Sequence, residues 1–273
     1  ISIGLVGSEM CIRDSFFRVL MTNTNILIFE EEEIILNFDV KEVLKNQDIS
    51  NPQLLLDEDE FLYVGTDKLN VINLYDKDDI KIYESSLSGF NSILNGKIDN
   101  LELLFRNGIK EVWISLNSGI SIFNIDQGKF DNFKFNQRSS RNKFPNGFSA
   151  ILISKKDELW ISNITSGLYK YNPETLDLVK HYIFDIDDKK SITSSSLTSL
   201  TEYNEELYIG SEGDGIFIYL NDSTGFSNVN TESGLLSNNV KNFLKTYQFL
   251  FILTDKGLNS VSYTHLRAHE TDR

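Results

Sequence analysis

Covalent catalysis would need a nucleophile held by a base, and a metal centre would need several imidazole, thiolate or carboxylate ligands converging on one point. The chain of 273 residues is poor in nitrogen and sulfur donors, with three His and one Cys. His265 and His269 stand close to its end and Cys11 near its start. His181 is therefore alone in the interior, with no Ser, Cys or second His spaced as a partner. Carboxylates are abundant and cluster at Asp185, Asp187 and Asp188 and again at Asp76, Asp78 and Asp79. Such clusters bind calcium when a loop glycine and a distal bidentate Glu complete them. Both runs lack these, and Lys77, Lys189 and Lys190 lie among them, so solvated loop tips are expected. The run Glu30 to Glu33 is expected at an exposed tip or edge, where its charge deters strand pairing. The stretch 212–215 (EGDG) lacks the Lys and the following helix of a phosphate loop and reads as a hairpin turn. Asn163-Ile-Thr165 and Asn221-Asp-Ser223 match the glycosylation triplet. Trp113 and Trp160 could each stack on a sugar ring, but an aromatic recurring at a fixed repeat position is expected in the core. No catalytic set, metal site or cofactor site is expected, and the chain is not expected to be an enzyme.

Composition narrows the field further. There are 40 Asp and Glu against 26 Lys and Arg, a net charge of −14, which disfavours a phosphate backbone as partner. No apolar run reaches the length of a membrane span. One Cys cannot build an internal disulfide framework.

The two ends share an oddity of coding. Residues 5–15 (LVGSEMCIRDS) and 260–270 (SVSYTHLRAHE) can be written as complementary strands of one DNA sequence, in register over eleven codons. Residues 1–15 and 260–273 are accordingly read as translated sequencing-adapter sequence and set aside from fold reasoning. The natural insert, 16–259, then carries no Cys, one His and a net charge of −13. It is expected to be an open stretch of a longer protein.

Elements to position any site must come from what repeats. Five segments share a polar turn, an apolar-aromatic-apolar triplet and a short turn into another apolar strand: 60–76, 111–126, 158–173, 206–221 and 248–259. The aligned aromatics are Tyr63, Trp113, Trp160, Tyr208 and Phe251, at spacings of 50, 47, 48 and 43 residues. Gly119, Gly167, Gly215 and Gly257 follow where a tight hairpin needs positive φ, with Lys68 at that position in the first repeat. Another short apolar strand precedes each triplet, at 54–56, 101–105, 148–153, 197–200 and 240–244, and a fourth follows at 80–83, 130–135, 178–184 and 225–229. Four strands per period with almost no helical periodicity predict an all-β chain of propeller blades, antiparallel and four-stranded. The blades fall at about 51–95, 96–145, 146–192 and 193–236. Partial blades are expected at 16–50, as a strand pair, and at 237–259, giving four full and two partial blades in a ring that is not closed.

The stretches 157–173 (DELWISNITSGLYKYNP) and 205–221 (EELYIGSEGDGIFIYLN) resemble the two-component regulator propeller repeat. So does 233–240 (SGLLSNNV), which resembles that family's lead-in to a following blade. The first repeat departs most, lacking the glycine and carrying Tyr63 in place of Trp. The resemblance covers nearly all of the insert. It implies a ligand-sensing segment of a hybrid histidine kinase, on the periplasmic or extracellular side of a bacterial envelope. It also implies an oligosaccharide or a protein as ligand, kinase domains elsewhere in the polypeptide, and room for a homodimer of the full protein. The alternative it allows is a stand-alone secreted or surface propeller acting as an interaction or secretion-accessory module. The five aromatics and four glycines carry structural roles in either case.

Overall fold

The computed structural model describes residues 10–13, 17–22, 24–30, 33–76, 78–86, 91–134, 144–188, 190–246 and 249–262. Glu31, Glu32, Lys77, Phe135, Lys189, Gln248, His265 and His269 lie outside the described residues, as do the side chains of 10–13. The chain divides into two compact units, 1–138 and 139–273.

The first unit holds three four-stranded antiparallel meanders. They are β1 (Met10–Arg13), β2 (Phe17–Met21), β3 (Asn25–Glu30) and β4 (Glu33–Asp39); β5 (Gln53–Leu56), β6 (Phe61–Gly65), β7 (Leu69–Asn73) and β8 (Ile80–Tyr83); and β9 (Ile98–Arg106), β10 (Ile109–Leu116), β11 (Gly119–Asn124) and β12 (Lys129–Lys134). The second unit holds β13 (Ala150–Ile153), β14 (Leu159–Asn163), β15 (Gly167–Tyr171) and β16 (Leu178–Tyr182); then β17 (Leu197–Tyr203), β18 (Glu206–Ser211), β19 (Ile216–Asn221) and β20 (Gly225–Val229); then a three-stranded sheet of β21 (Val240–Lys245), β22 (Phe249–Thr254) and β23 (Gly257–Ser262). No sheet closes on itself. A single helical turn, α1 (Val40–Val43), follows the first sheet, and the Asp39 carboxylate caps it by accepting from the Lys41 amide. The chain is all-β, a run of antiparallel propeller blades.

Strand alternation explains why these sheets stack. In the second sheet Leu54, Leu56, Leu62, Val64 and Ile72 point to one face and join Val19, Ile26, Ile28 and Phe38 of the first sheet. Leu55, Tyr63, Leu69 and Val71 point to the other face and join Ile98, Leu101, Val112 and Ile114 of the third. Both faces are covered, so these strands read as continuous apolar runs rather than as alternating ones. The second unit repeats the scheme. Trp160, Leu168 and Tyr182 meet Leu197, Leu207, Ile209 and Phe217, while Tyr203, Tyr208 and Ile216 of the middle sheet meet Val240, Leu250 and Ile252.

Two boundaries differ from the sequence reading. Residues 16–50 supply three strands, not a pair, and β1 completes a fourth. Val19 and Met21 pair in register with Ile28 and Ile26 and are buried, so the short apolar run after Phe17 joins the ladder. The last sheet runs past residue 259 to Ser262, where Val261 pairs with the buried Leu250. Thus β1 and the end of β23 fall within the stretches set aside on coding grounds.

Candidate functional site

Much of the polar chemistry of the described residues is built around the repeated aromatics, within a sheet or at the seam with the next. Each aromatic sits mid-strand on the second strand of its sheet. Tyr63, Trp113, Trp160 and Tyr208 are buried, whereas Phe251 is half-buried and lies 6.0 Å from Phe249, centroid to centroid.

An acid answers most of these rings. The Tyr63 hydroxyl donates to Asp57 Oδ2 at 3.1 Å, and Asp57 is itself buried. Lys110, from β10 of the adjoining sheet, reaches back to Asp57 at 3.2 Å and to Asp59 at 2.5 Å. Burial works against the Lys110 ammonium, but the two carboxylates outweigh it and hold its pKa above the ordinary value. Burial chiefly, with Asp57 beside it, pushes the Tyr63 phenol up. In the next sheet the Trp113 indole N–H donates to Glu111 Oε2 at 3.0 Å. Arg106 grips the same carboxylate with two bonds, Nε to Oε2 at 2.8 Å and Nη2 to Oε1 at 2.6 Å. In the second unit Lys170 pairs with Glu158 at 2.5 Å and lies 5.2 Å over the Trp160 ring. The Tyr208 hydroxyl donates to Glu206 Oε2 at 3.0 Å.

A second seam joins β16 to the end of β19. Tyr182 donates its hydroxyl to Asp222 Oδ1 at 2.5 Å, and Lys180 reaches the same oxygen at 3.0 Å. The Tyr182 bond, with Lys180 behind it, holds the Asp222 carboxyl down at about 2. Burial, reinforced by Asp222, pushes the Tyr182 phenol up. Asp57, Glu111, Glu158 and Asp222 each have a cationic partner, and Glu206 accepts from the Tyr208 hydroxyl. Such groups hold geometry.

The glycines shape the sheet ends. Gly119, Gly167, Gly215 and Gly257 all have positive φ. At Gly167 φ is +86°, and an added Cβ would fall on the Tyr182 carbonyl of β16. Lys68 replaces this glycine in the first repeat without positive φ, and its turn is tied by the Thr66 amide donating to the Lys68 carbonyl at 2.9 Å.

The other residues singled out from the sequence are consumed locally. His181 is exposed, stacked on Tyr169 at 3.9 Å, with Nε2 at 2.6 Å from the Ser166 carbonyl. Asp185, Asp188 and Asp76 accept backbone amides two residues on, from Asp187, Lys190 and Asp78. Asn163 accepts from Thr165 and Ser166, and Asn221 from Ser223 and Thr224, so both triplets are side-chain-capped turns. In the 212–215 turn the amides of Gly213 and Gly215 both donate to the Asn238 carbonyl, leaving no cradle for phosphate. Among the described residues no group of three or more His, Cys, Asp and Glu could hold a metal ion, and no helix is long and apolar enough to cross a membrane. Among the described residues Glu102, half-buried on β9, is the one carboxyl pushed up strongly, to about 7, by desolvation. It faces Trp113 in register, flanked by Val112 and Ile114, none of which is an acid or a nucleophile.

Sequence reasoning missed the hooks from one sheet to the next. Ser149 donates to the Leu197 carbonyl at 2.6 Å, Thr198 to the Val240 carbonyl at 2.8 Å, and the Ile98 amide to the Thr66 carbonyl at 2.6 Å. It also missed the seat two residues past each aromatic. A Cβ on Gly65 would press on Ile98 Cγ2 at 2.7 Å, and one on Gly210 on Val240 Cγ1 at 2.8 Å. The matching residues Ser115 and Ser162 are likewise small and buried. The recurring Gly or Ser at that offset is the signal that was available.

No protein-family profile matches the chain, and neither does any curated protein. Solved structures do. The extracellular domain of BT4673 from B. thetaiotaomicron, described as a hybrid two-component system, matches with TM-score 0.64 and 18% identity over 91% of this chain and 31% of that one. The corresponding domain of BT3049 matches at 0.55 and 15%, over 92% of this chain and 39% of that one. PorZ, a bacterial surface component of the type-IX secretion system of Porphyromonas gingivalis, matches at 0.66 and 15%, over 92% and 38%. This chain spans about a third of the length of these structures. At such identities the likeness is one of fold.

Proposed function

We propose that the chain is part of a ligand-sensing propeller, on the extracytoplasmic side of a bacterial envelope, belonging to a hybrid two-component regulator. One observation carries the reading: almost the whole chain follows the fold of the BT4673 and BT3049 extracellular domains, through the repeats that resemble the two-component regulator propeller. The ligand we propose is a glycan or another external signal, and the chain itself performs no chemistry. Binding would act by shifting the relative populations of receptor arrangements.

The test is the complete gene. A membrane helix and a kinase encoded after the blades, with saturable binding of one member of a glycan panel by calorimetry, is the expected result. A stop codon or a secretion tag after the blades, with no kinase, overturns it. The likeness to PorZ favours a second reading, a surface propeller serving as an interaction or secretion module, and that gene outcome would support it. Turnover of any glycan in the same panel would overturn the non-enzymatic part of both readings.

A further inference from the structure

The connection from β4 to β5 lines a cavity of about 340 Å³. Buried Val40 and Leu44, with half-buried Ile49, form its apolar wall, and Lys41, Lys45 and Gln47 supply polar groups. Val40 and Leu44 join the core that Val19, Ile26 and Ile28 of the first sheet make with Leu54, Leu62 and Val64 of the second. The cavity therefore lies at a seam with a sheet on either side. An apolar wall with a few convergent polar groups, at the lower end of about 300–1,000 Å³, is the make-up of a small-molecule site. Its walls are fixed in advance. The Val40 amide donates to the Thr24 carbonyl at 2.9 Å and the Leu44 amide to the Val40 carbonyl at 2.8 Å. Asn46, at φ +57°, then turns the chain. Gln47 is pinned by two buried residues: its Nε2 donates to Asn70 Oδ1 at 2.9 Å, and its Oε1 accepts from Asn70 Nδ2 at 2.9 Å and from the Thr66 hydroxyl. Preformed walls spare a ligand much of the ordering cost of binding.

Charge gives the class of ligand. Among the described residues neither the Lys41 nor the Lys45 ammonium takes part in an ion pair. No acid lines the cavity. Of the nearest acids in sequence, Glu42 lies outside the lining, and Asp48 is held by Lys97 at 3.3 Å and by the Ser50 amide at 2.9 Å. In a chain of net charge −14, a cavity whose charged groups are all cationic selects for an anion. Building on the sensing function above, we propose that this cavity binds the acidic unit of a saccharide. The ammonium groups of Lys41 and Lys45 hold its carboxylate or sulfate, the Gln47 amide meets a hydroxyl, and Val40, Leu44 and Ile49 pack against its carbons. Carboxylate and sulfate share this chemistry.

Calorimetry on the full 273-residue chain tests this with trigalacturonate, a sulfated maltotriose and maltotriose itself. Saturable one-to-one binding of an acidic probe is expected, with maltotriose weaker by about tenfold or more. Which acidic probe binds assigns the anion as carboxylate or sulfate. Lys41→Ala and Lys45→Ala, both at exposed positions, should each weaken that binding by about tenfold, the size of one charge-assisted hydrogen bond. Lys156→Ala, at an exposed position in the second unit, should leave it unchanged. Circular dichroism matching the parent verifies folding, and Lys41→Gln and Lys45→Gln serve if either alanine variant misfolds. Binding of an acidic probe that neither lysine variant weakens overturns the site and leaves the sensing function standing. Maltotriose binding as tightly as the acidic probes, or binding of none of the three, also overturns the proposal. A gene encoding no kinase, beside binding that depends on the lysines, would instead overturn the sensing function and support the site.

Discussion

Replacing Trp160 by Ala tests whether the repeated aromatic is a structural anchor or a ligand platform. The ring is 1% exposed, with Tyr182 at 5.8 Å and Tyr219 at 4.9 Å between centroids, and the Lys170 ammonium over its face. Truncation removes the transfer energy of the indole and leaves a cavity, about 3–5 kcal/mol for a buried Trp. The loss of the cation–π contact adds about 1 kcal/mol. A urea dependence of about 2 kcal/mol/M converts the sum into a midpoint lowered by roughly 2–3 M. The assay has an internal reference, because the chain has two Trp and Trp113 lies in the first unit. In the variant, Trp113 fluorescence reports that unit alone, while circular dichroism reports both. The dichroism transition of the second unit should move to lower urea, and Trp160→Phe should recover more than half of the loss. A dichroism curve superimposable on that of the parent would refute the anchoring argument and return the ring to the role of an accessible platform.

Gly167→Ala combines positive φ with a Cβ on the Tyr182 carbonyl, so thermal melting should show a loss of about 1–3 kcal/mol. Gly128→Ala, with φ of +62° and open space around it, should cost about 1 kcal/mol, so an equal loss at both sites would mean that the clash contributes nothing. Glu111→Ala leaves the Arg106 guanidinium half-buried without its carboxylate and should cost about 3–5 kcal/mol. The pair Arg106→Met with Glu111→Leu should recover most of that in urea unfolding, and a single-variant loss below about 1 kcal/mol would place the pair in a water-like environment. The Asp222 carboxyl lies below its unfolded value of 3.8, at about 2. Its stabilising contribution is therefore full above the unfolded value and is lost as pH falls through the folded one. Asp222→Asn should narrow the stability gap to the parent as acid titration proceeds from pH 5 towards 2, and a gap constant over that range would contradict the pairing with Tyr182 and Lys180.

The sheets were legible because their signal is local. A triplet such as Leu159-Trp160-Ile161 is apolar at every position, and a strand buried on both faces has no polar side to show. Turn glycines fixed the phase, since β11, β15 and β23 begin at Gly119, Gly167 and Gly257 and β19 begins just after Gly215. The first sheet was under-read for the same reason. It has neither the aromatic triplet nor the glycine, and β2 rests on a short run around Val19 whose partner in register, Ile28, becomes visible only once the ladder is formed.

The seams were illegible because their partners are far apart in sequence and nothing local requires them. Lys110 meets Asp57 across two sheets, and Lys180 meets Asp222 across two more. Nothing in either pair of residue types distinguishes it from the many charges that face water. Where the sequence does carry a trace of the seam, it lies in a residue that is small, not one that is charged. Gly65, Ser115, Ser162 and Gly210 keep the offset of two from their aromatics because a first strand must pass close by. Leu253 breaks that rule at the same offset from Phe251, and the structure leaves it exposed. A bulky apolar residue where the packing rule asks for none is stable in water only at a cost, unless something covers it.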